Sequence, residues 1–267
     1  MSLPRSLWLV GCGNMGGAML RGWLAAGLHP EAVTVVDPAA PSVPEGVRVV
    51  ASPPQTAPEV MVLAVKPQLL DAVAPGLADV RPALLLSILA GVEEATLAAR
   101  IGAPSIVRAM PNLPVAIGKG VTALHAMQAS DAARAMSEAL VRPLGAIEWI
   151  AEEAMFDAVT ALSGCGPGFV FRFIDALAAA GAALGLPQDQ AARLALATVE
   201  GSAAMAAGAG ESPAVLADRV ASPGGSTREG LNVLDHEKAL QALMTATLRA
   251  SRDRNVALAI AARNQKG

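Results

Sequence analysis

The chain of 267 residues has no tyrosine, four phenylalanines, three tryptophans, two cysteines and three histidines, and each scarcity removes a chemistry. Without tyrosine there is no Tyr-Lys proton donor of the kind that short-chain dehydrogenases use. Cys12 and Cys165, each flanked by glycines, are too few and too scattered for a zinc set, which needs four clustered Cys or His ligands, so no metal is expected. Nor do they make a disulfide framework, which points to a reducing, cytoplasmic setting. No lysine lies between Lys119 and Lys238, and a hydroxyacid dehydrogenase that relies on a lysine in its second half is hard to build here. His29, His125 and His236 fall beyond a helix, after a strand and at the start of the last helix, so solvated or capping roles are expected for them.

Charge is sparse as well. There are 20 Lys and Arg against 23 Asp and Glu, a formal net of −3, and no basic stripe, so nucleic acid is not an expected partner. Hydrophobic residues make up 53% and charged ones 16%, more apolar surface than a monomer of this size easily hides, which predicts a homodimer or higher homo-oligomer. The longest uncharged stretch, Ser6 to Leu20, is shorter than the roughly 18–20 residues that cross a bilayer, so no membrane partner is expected. Only Ser6 to Val10 separate Arg5 from the first glycine, whereas an export signal needs an apolar region of about 7–15 residues. The opening residues therefore read as a fold element of a cytoplasmic protein.

That element is a strand, a glycine turn and a helix: Leu7–Val10, then Gly11-Cys-Gly13-Asn-Met-Gly16, then helical spacing from Met15 to Ala26. In such a turn Gly11 permits the tight bend, Gly13 lets the backbone approach a pyrophosphate, and Gly16 lets the helix pack on the strand, with free N–H groups at the helix start facing the phosphates. Asp37 ends a second strand, Val33–Val36, about 20 residues past the motif, where a carboxylate binds the adenosine ribose. Its charge would repel the extra phosphate of NADP, which favours NADH. Further strands are expected at Val47–Val50, Met61–Val65, Leu84–Ile88, Ile106–Ala109, Val121–Leu124 and Ile147–Ile150, with helices such as Glu93–Arg100 and Ser130–Val141 between them. The alternation predicts an α/β Rossmann-type domain with a mostly parallel sheet over residues 1–155, its ligand beyond the carboxyl ends of the strands. Ala64-Val65-Lys66-Pro67, Ala90-Gly91 and Met110-Pro-Asn112 lie at such ends.

From Phe156 strand signals vanish and alanine-rich helical spacing takes over, predicting an all-α dimerisation and substrate-binding domain over 156–267 with helices at Phe169–Leu184, Gln188–Ala206 and His236–Ala262. Two glycine turns interrupt it, Ser163–Gly168 and Ala221–Thr227. Ser226 followed by Glu229 has capping-box spacing, so Ser226 could simply cap a helix. Paired glycines and hydroxyls at a helix start also suit a small carboxylate. With no base beside the crevice, the chemistry left is hydride transfer that needs little acid–base help. A protonated imine, already electrophilic at carbon, is such a substrate, and a threonine hydroxyl supplies the one hydrogen bond it requires.

The ordered set GCGNMG, AVKPQ, SILAGV, RAMPN, TALSGCGPGFVF and VASPGGSTREGLNVL resembles the pyrroline-5-carboxylate reductase family over nearly the whole chain. The resemblance implies NAD(P)H-dependent reduction of 1-pyrroline-5-carboxylate to L-proline, a small-molecule substrate held near a subunit interface, and a helical domain that dimerises. It implies that Thr227 hydrogen-bonds the ring nitrogen as the catalytic residue, that Ser222, Gly225 and Ser226 receive the carboxylate, and that Gly11, Gly13, Asn14, Met15, Gly16, Ala64, Val65, Lys66, Pro67 and Asn112 contact the cofactor. The chain departs from the family pattern at Leu113, Cys165 and Phe169, where hydroxyl side chains are usual. The rival readings are a reductase of another cyclic imine or small 3-hydroxyacid, and a non-enzymatic dinucleotide sensor.

Overall fold

The computed structural model describes residues 3–264, and side chains over residues 3–257. The chain forms two compact units, Met1–Cys165 with Arg252–Gly267, and Gly166–Ser251. This division lies later than the expected boundary at 155/156. The segment after the last strand, with Phe156 and Ala161 buried, packs onto the sheet and so belongs to the first unit.

In that unit eight strands form one sheet in the order β3-β2-β1-β4-β5-β6-β7-β8. They are β1 (Leu7–Val10), β2 (Val33–Val36), β3 (Arg48–Val50), β4 (Val60–Leu63), β5 (Leu84–Ser87), β6 (Ile106–Pro111), β7 (Gly120–His125) and β8 (Gly145–Trp149). Every neighbouring pair is parallel except β6–β7. The central strands LWLV, VMVL and LLLS are buried at every position because helices cover both faces, which is why they read as unbroken apolar runs rather than alternating ones. The helices are α1 (Asn14–Ala25), α2 (Leu70–Leu77), α3 (Glu94–Ala98) and α4 (Asp131–Val141). Trp23 of α1, fully buried, donates its indole N–H to the Leu140 carbonyl of α4 at 2.7 Å, joining two helices on one face. Ser130 caps α4 by accepting the Ala133 N–H at 3.1 Å.

The chain reverses between β6 and β7 through a 3₁₀ turn, Leu113–Ile117, that ends on left-handed Gly118 at φ 69°. A different glycine limits β7 and β8, where Gly120 and Gly145 are register partners. Gly145 has φ 137°, and a Cβ there would collide with the Gly120 carbonyl oxygen.

After β8 come α5 (Phe156–Val159) and a π-helical turn, Thr160–Gly164. The second unit holds α6 (Gly166–Ala183), α7 (Gln188–Gly208), α8 (Pro213–Arg219) and α9 (Ser226–Asp235). α6 and α7 form a hairpin through left-handed Gly185, φ 103°, and Pro187 at the N-cap of α7. They pack closely at Gly181, where a Cβ would stand in ordinary van der Waals contact, 3.5 Å from Ala191 Cβ. The last helix, α10 (Ala239–Asn264), does not begin at His236 as expected: Glu237 and Lys238 have φ of 48° and 60°, and this kink separates it from α9. By length and composition alone, the helical stretch Glu153–Ala183 is apolar enough to cross a bilayer, a candidate that the longest uncharged run did not reveal. Of its most apolar window, 11% is buried.

Gly145→Ala should lower the unfolding free energy by about 3 kcal/mol, since neither backbone can yield. Gly76→Ala, exposed on α2 with nothing within 4 Å of the new Cβ, should be neutral or stabilising by up to about 1 kcal/mol. Paired urea titrations followed by circular dichroism check both.

Candidate active site

The parallel strands β1, β2, β4, β5 and β6 end on one edge, and the strand order reverses between β1 and β4, where ligands of open α/β sheets bind. Gly11 leaves β1 with φ 86°, a conformation that suits glycine. A Cβ on Gly11 would stand 2.8 Å from Val65 Cγ1 and 3.0 Å from the Ala64 carbonyl, so the bend is possible only without a side chain. Gly16 is equally confined, its Cβ position lying 2.8 Å from the Gly11 carbonyl oxygen and 3.3 Å from Ala64 Cβ. These contacts bring the glycine turn and the end of β4 together.

Gly13 is different. It is exposed at the N-cap of α1 with φ −73°, and a Cβ would meet nothing within 4 Å. No contact within the protein demands glycine there, whereas a pyrophosphate approaching the backbone would. No side chain caps α1, so the first-turn N–H groups of Asn14, Met15 and Gly16 remain available to an anion. The donor set therefore fits a dinucleotide. α1 starts at Asn14, one residue before the expected Met15.

Asp37, half-buried at the end of β2, spans the edge of this turn. Its Oδ2 accepts the Cys12 N–H at 2.9 Å and its Oδ1 accepts the Ala39 N–H at 2.9 Å, so the carboxylate is oriented before any ligand arrives. Lys66 is exposed just past β4 and caps the 3₁₀ turn Pro67–Leu69 through its backbone, while Ala90 and left-handed Gly91 are exposed past β5. Asn112 lies at the end of β6, but its side chain is engaged by the protein. Oδ1 accepts the Val121 N–H at 2.8 Å and Nδ2 donates to the Ser163 carbonyl at 3.0 Å.

In the second unit, Ser222 to Gly225 is a turn closed by the Gly225 N–H donating to the Ser222 carbonyl at 2.9 Å, with Gly224 left-handed at φ 71°. Gly225, not Ser226, is the N-cap of α9, and no side chain caps the helix, so the capping-box alternative is not realised. Ser226 and Thr227 instead occupy its first turn, exposed, with N–H groups that have no earlier carbonyl in the helix. Arg228, which sequence reasoning passed over, ties this start to α8 by donating to Asp218 Oδ1 at 2.8 Å.

Sequence reasoning also missed a buried charge cluster on β6 and β7. Arg108 Nη1 donates to Glu153 Oε1 at 2.7 Å, the same oxygen accepts the Glu94 N–H at 2.7 Å, and the guanidinium lies 4.4 Å from the Phe156 ring centre. Breaking a pair buried this way costs about 3–5 kcal/mol. His125 is neither solvated nor a cap: it is buried beside Arg108 in register, and its Nδ1 stands 2.9 Å from the Ile150 carbonyl. A carbonyl only accepts, so Nδ1 bears the proton. Nε2, without a hydrogen-bond partner, is then 3.9 Å from Glu94 Oε2. The available signal was a single arginine inside the apolar run IVRAMP. No group of three or more metal-ligating side chains occurs among the described residues.

Two family descriptions match the chain: "Pyrroline-5-carboxylate reductase dimerisation" over residues 153–258 and "NADP oxidoreductase coenzyme F420-dependent" over residues 6–91. The pyrroline-5-carboxylate reductase of Pseudomonas aeruginosa is 36% identical, across 97% of this chain and 98% of that one. The enzyme of that name from Pisum sativum is 35% identical, across 92% and 94%. Among solved structures, a pyrroline-5-carboxylate reductase from Coxiella burnetii superposes with a TM-score of 0.87 at 30% identity, covering 96% of this chain and 99% of that one. The Plasmodium falciparum pyrroline carboxylate reductase, solved with NADP bound, superposes at 0.81 and 26% identity, covering 97% and 100%.

The Cys12 thiol has a direct chemical consequence. Burial pushes it above the ordinary cysteine range, the Asp37 carboxylate pushes the same way, and Arg21 pulls back less strongly. A raised thiol holds less thiolate at neutral pH, so iodoacetamide should label Cys12 more slowly than the unfolded chain at pH 7.5, with the rate rising only at higher pH. Peptide mass spectrometry of timed alkylations checks it.

Proposed function

The chain belongs to the pyrroline-5-carboxylate reductase family, and from that membership we infer that it reduces 1-pyrroline-5-carboxylate to L-proline with a reduced nicotinamide nucleotide. When bound, the nucleotide supplies a hydride to the imine carbon. The protein's part is to hold, orient and desolvate the two reactants.

In this reading Gly11 makes the bend, its own N–H being held by the Val36 carbonyl, while Gly13, Asn14, Met15 and Gly16 hold the pyrophosphate through backbone, and Asp37 binds the adenosine ribose. Ala64, Val65, Lys66 and Pro67, with Ala90 and Gly91, line the rest of the cofactor wall. Asn112 supports that wall through backbone, because its side chain already bonds Val121 and Ser163. Ser222, Gly225 and Ser226 receive the substrate carboxylate at the uncapped start of α9. Thr227 makes the hydrogen bond to the ring nitrogen, steadying it as the imine becomes an amine. The observation that supports the substrate half is that exposed Thr227 stands in a first helical turn whose N–H groups no side chain has taken.

Asp37 favours NADH. Its carboxylate is already fixed by two N–H groups, so it cannot swing away cheaply to admit a second phosphate. The exposed apolar side chains of the helical unit, among them Phe171, Phe173, Leu194, Leu196 and Met205, suit burial in a homodimer or larger assembly rather than in a lipid phase. That assembly accounts for the apolar stretch Glu153–Ala183, and two free thiols suit a cytoplasmic enzyme.

Mixing the purified protein with the imine and either nucleotide should consume nicotinamide absorbance, and no loss above background overturns the reading. Thr227→Ala should lower kcat by about 10–1,000-fold with the dissociation constant for NADH nearly unchanged. Specificity constants should favour NADH over NADPH, and Asp37→Ser should narrow or invert that ratio.

A further inference from the structure

The cluster around Arg108 takes no part in the reduction as assigned above, yet it shares a strand face with a residue that does. Arg108, Met110 and Asn112 recur at every second position on β6 and its extension, so they point to the same side. The crossover helix α3 covers that face at Ile106, which clusters with Leu97, but does not reach Met110 and Ala123. The connector after β8 does, through Ile150, Phe156 and Val159 against Met110 and Ala123. Met110, Ala123 and Phe156 are the buried apolar residues of this patch among those described, with Ala161 also buried on the connector, a small area with little power to fix register. Polar contacts at the connector's two ends decide it. At one end Glu153 bonds Arg108 and the Glu94 N–H, while Phe156 closes over the guanidinium. At the other the Ser163 carbonyl, in the π-helical turn, accepts from Asn112, whose Oδ1 holds Val121 across the β6–β7 reversal.

We propose that Arg108 and Glu153 are positioning residues that clamp the start of the connector 153–164 onto β6, so that its far end presents the Ser163 carbonyl to Asn112 and keeps the 112–121 corner in place at the cofactor edge of the sheet. The proposal rests on the reductase reading for its kinetic consequence only. Arg108 is gripped from two sides by the same connector, by a carboxylate and by a ring, so a slip of the connector would break both contacts at once. The same slip would withdraw the Ser163 carbonyl and leave the Asn112 amide, which is buried, short of an acceptor. Glu94 keeps its own carboxylate on the Met127 N–H and His125 keeps its bond to Ile150, so neither substitutes for Glu153.

Glu153→Gln retains an oxygen for the Glu94 N–H and removes only the charge facing Arg108. In the nucleotide-free enzyme, amide hydrogen exchange should quicken about 10-fold at both ends of the connector, in peptides covering 111–121 and 156–165, while the peptide covering 7–20 is unchanged. kcat should fall about 10- to 100-fold, with the dissociation constant for NADH within about two-fold, and Glu153→Asp should recover part of the loss. Exchange that quickens only beside residue 153, or a variant that loses thermal stability but keeps wild-type kcat well below its midpoint, overturns the clamp. A wild-type enzyme that reduces no imine overturns the reductase reading instead, and the exchange pattern still judges the clamp. Phe156→Leu, which removes the ring and keeps the ion pair, should show the same pattern with about a three-fold fall in kcat. It serves as the deciding variant if Glu153→Gln does not fold.

Discussion

The first unit depends on how closely two pieces of backbone can approach at the end of β1. Gly11 turns left-handed against Val65 and the Ala64 carbonyl, and Gly16 packs onto the Gly11 carbonyl oxygen. Neither contact tolerates a Cβ. Together they bring the N-terminus of α1 to the edge where the strand order reverses, which sets where an anion can meet free N–H groups. Asp37, held by the Cys12 N–H, completes the same edge. The Rossmann edge is thus an outcome of steric limits first and of electrostatics second.

The far side of the sheet obeys a different constraint. A mostly parallel sheet needs cover on both faces, and where β7 runs antiparallel to β6 the regular crossover helix is missing. A short connector of single helical turns takes its place, and so short a segment buries too little apolar surface to define its own position. A buried cation, one carboxylate and an amide do that instead. Such groups are costly to bury singly and stabilising only when every partner is present, so they act as a register device more than as a source of stability.

The helical unit shows the converse problem. Its helices carry large apolar side chains at high exposure, with Ala191, Ala195 and Ala221 the buried hydrophobic residues among those described there. A unit of this composition does not complete a core from its own residues. Residues 153–258 match a family described as a dimerisation domain, and the burial against a second copy proposed above is the outlet that such a composition needs.

The sequence by itself determined what local rules govern. Periodicity and glycine spacing were sufficient for the strands, the α1 turn, the placement of Asp37 and the change to helix in the second half, because each depends on residues near one another in the chain. The candidate site was legible for the same reason, as two short glycine motifs. Several features were decided only in three dimensions: the engagement of the Asn112 side chain, the N-cap at Gly225 rather than Ser226, the kink before α10, the later unit boundary, and the burial of His125 and Arg108. Hydrogen-bond partners such as Arg108 and Glu153 stand 45 residues apart, and no local pattern specifies which distant acceptor a buried donor will find. Tertiary packing makes that choice, because only the assembled sheet removes the water that would otherwise satisfy it.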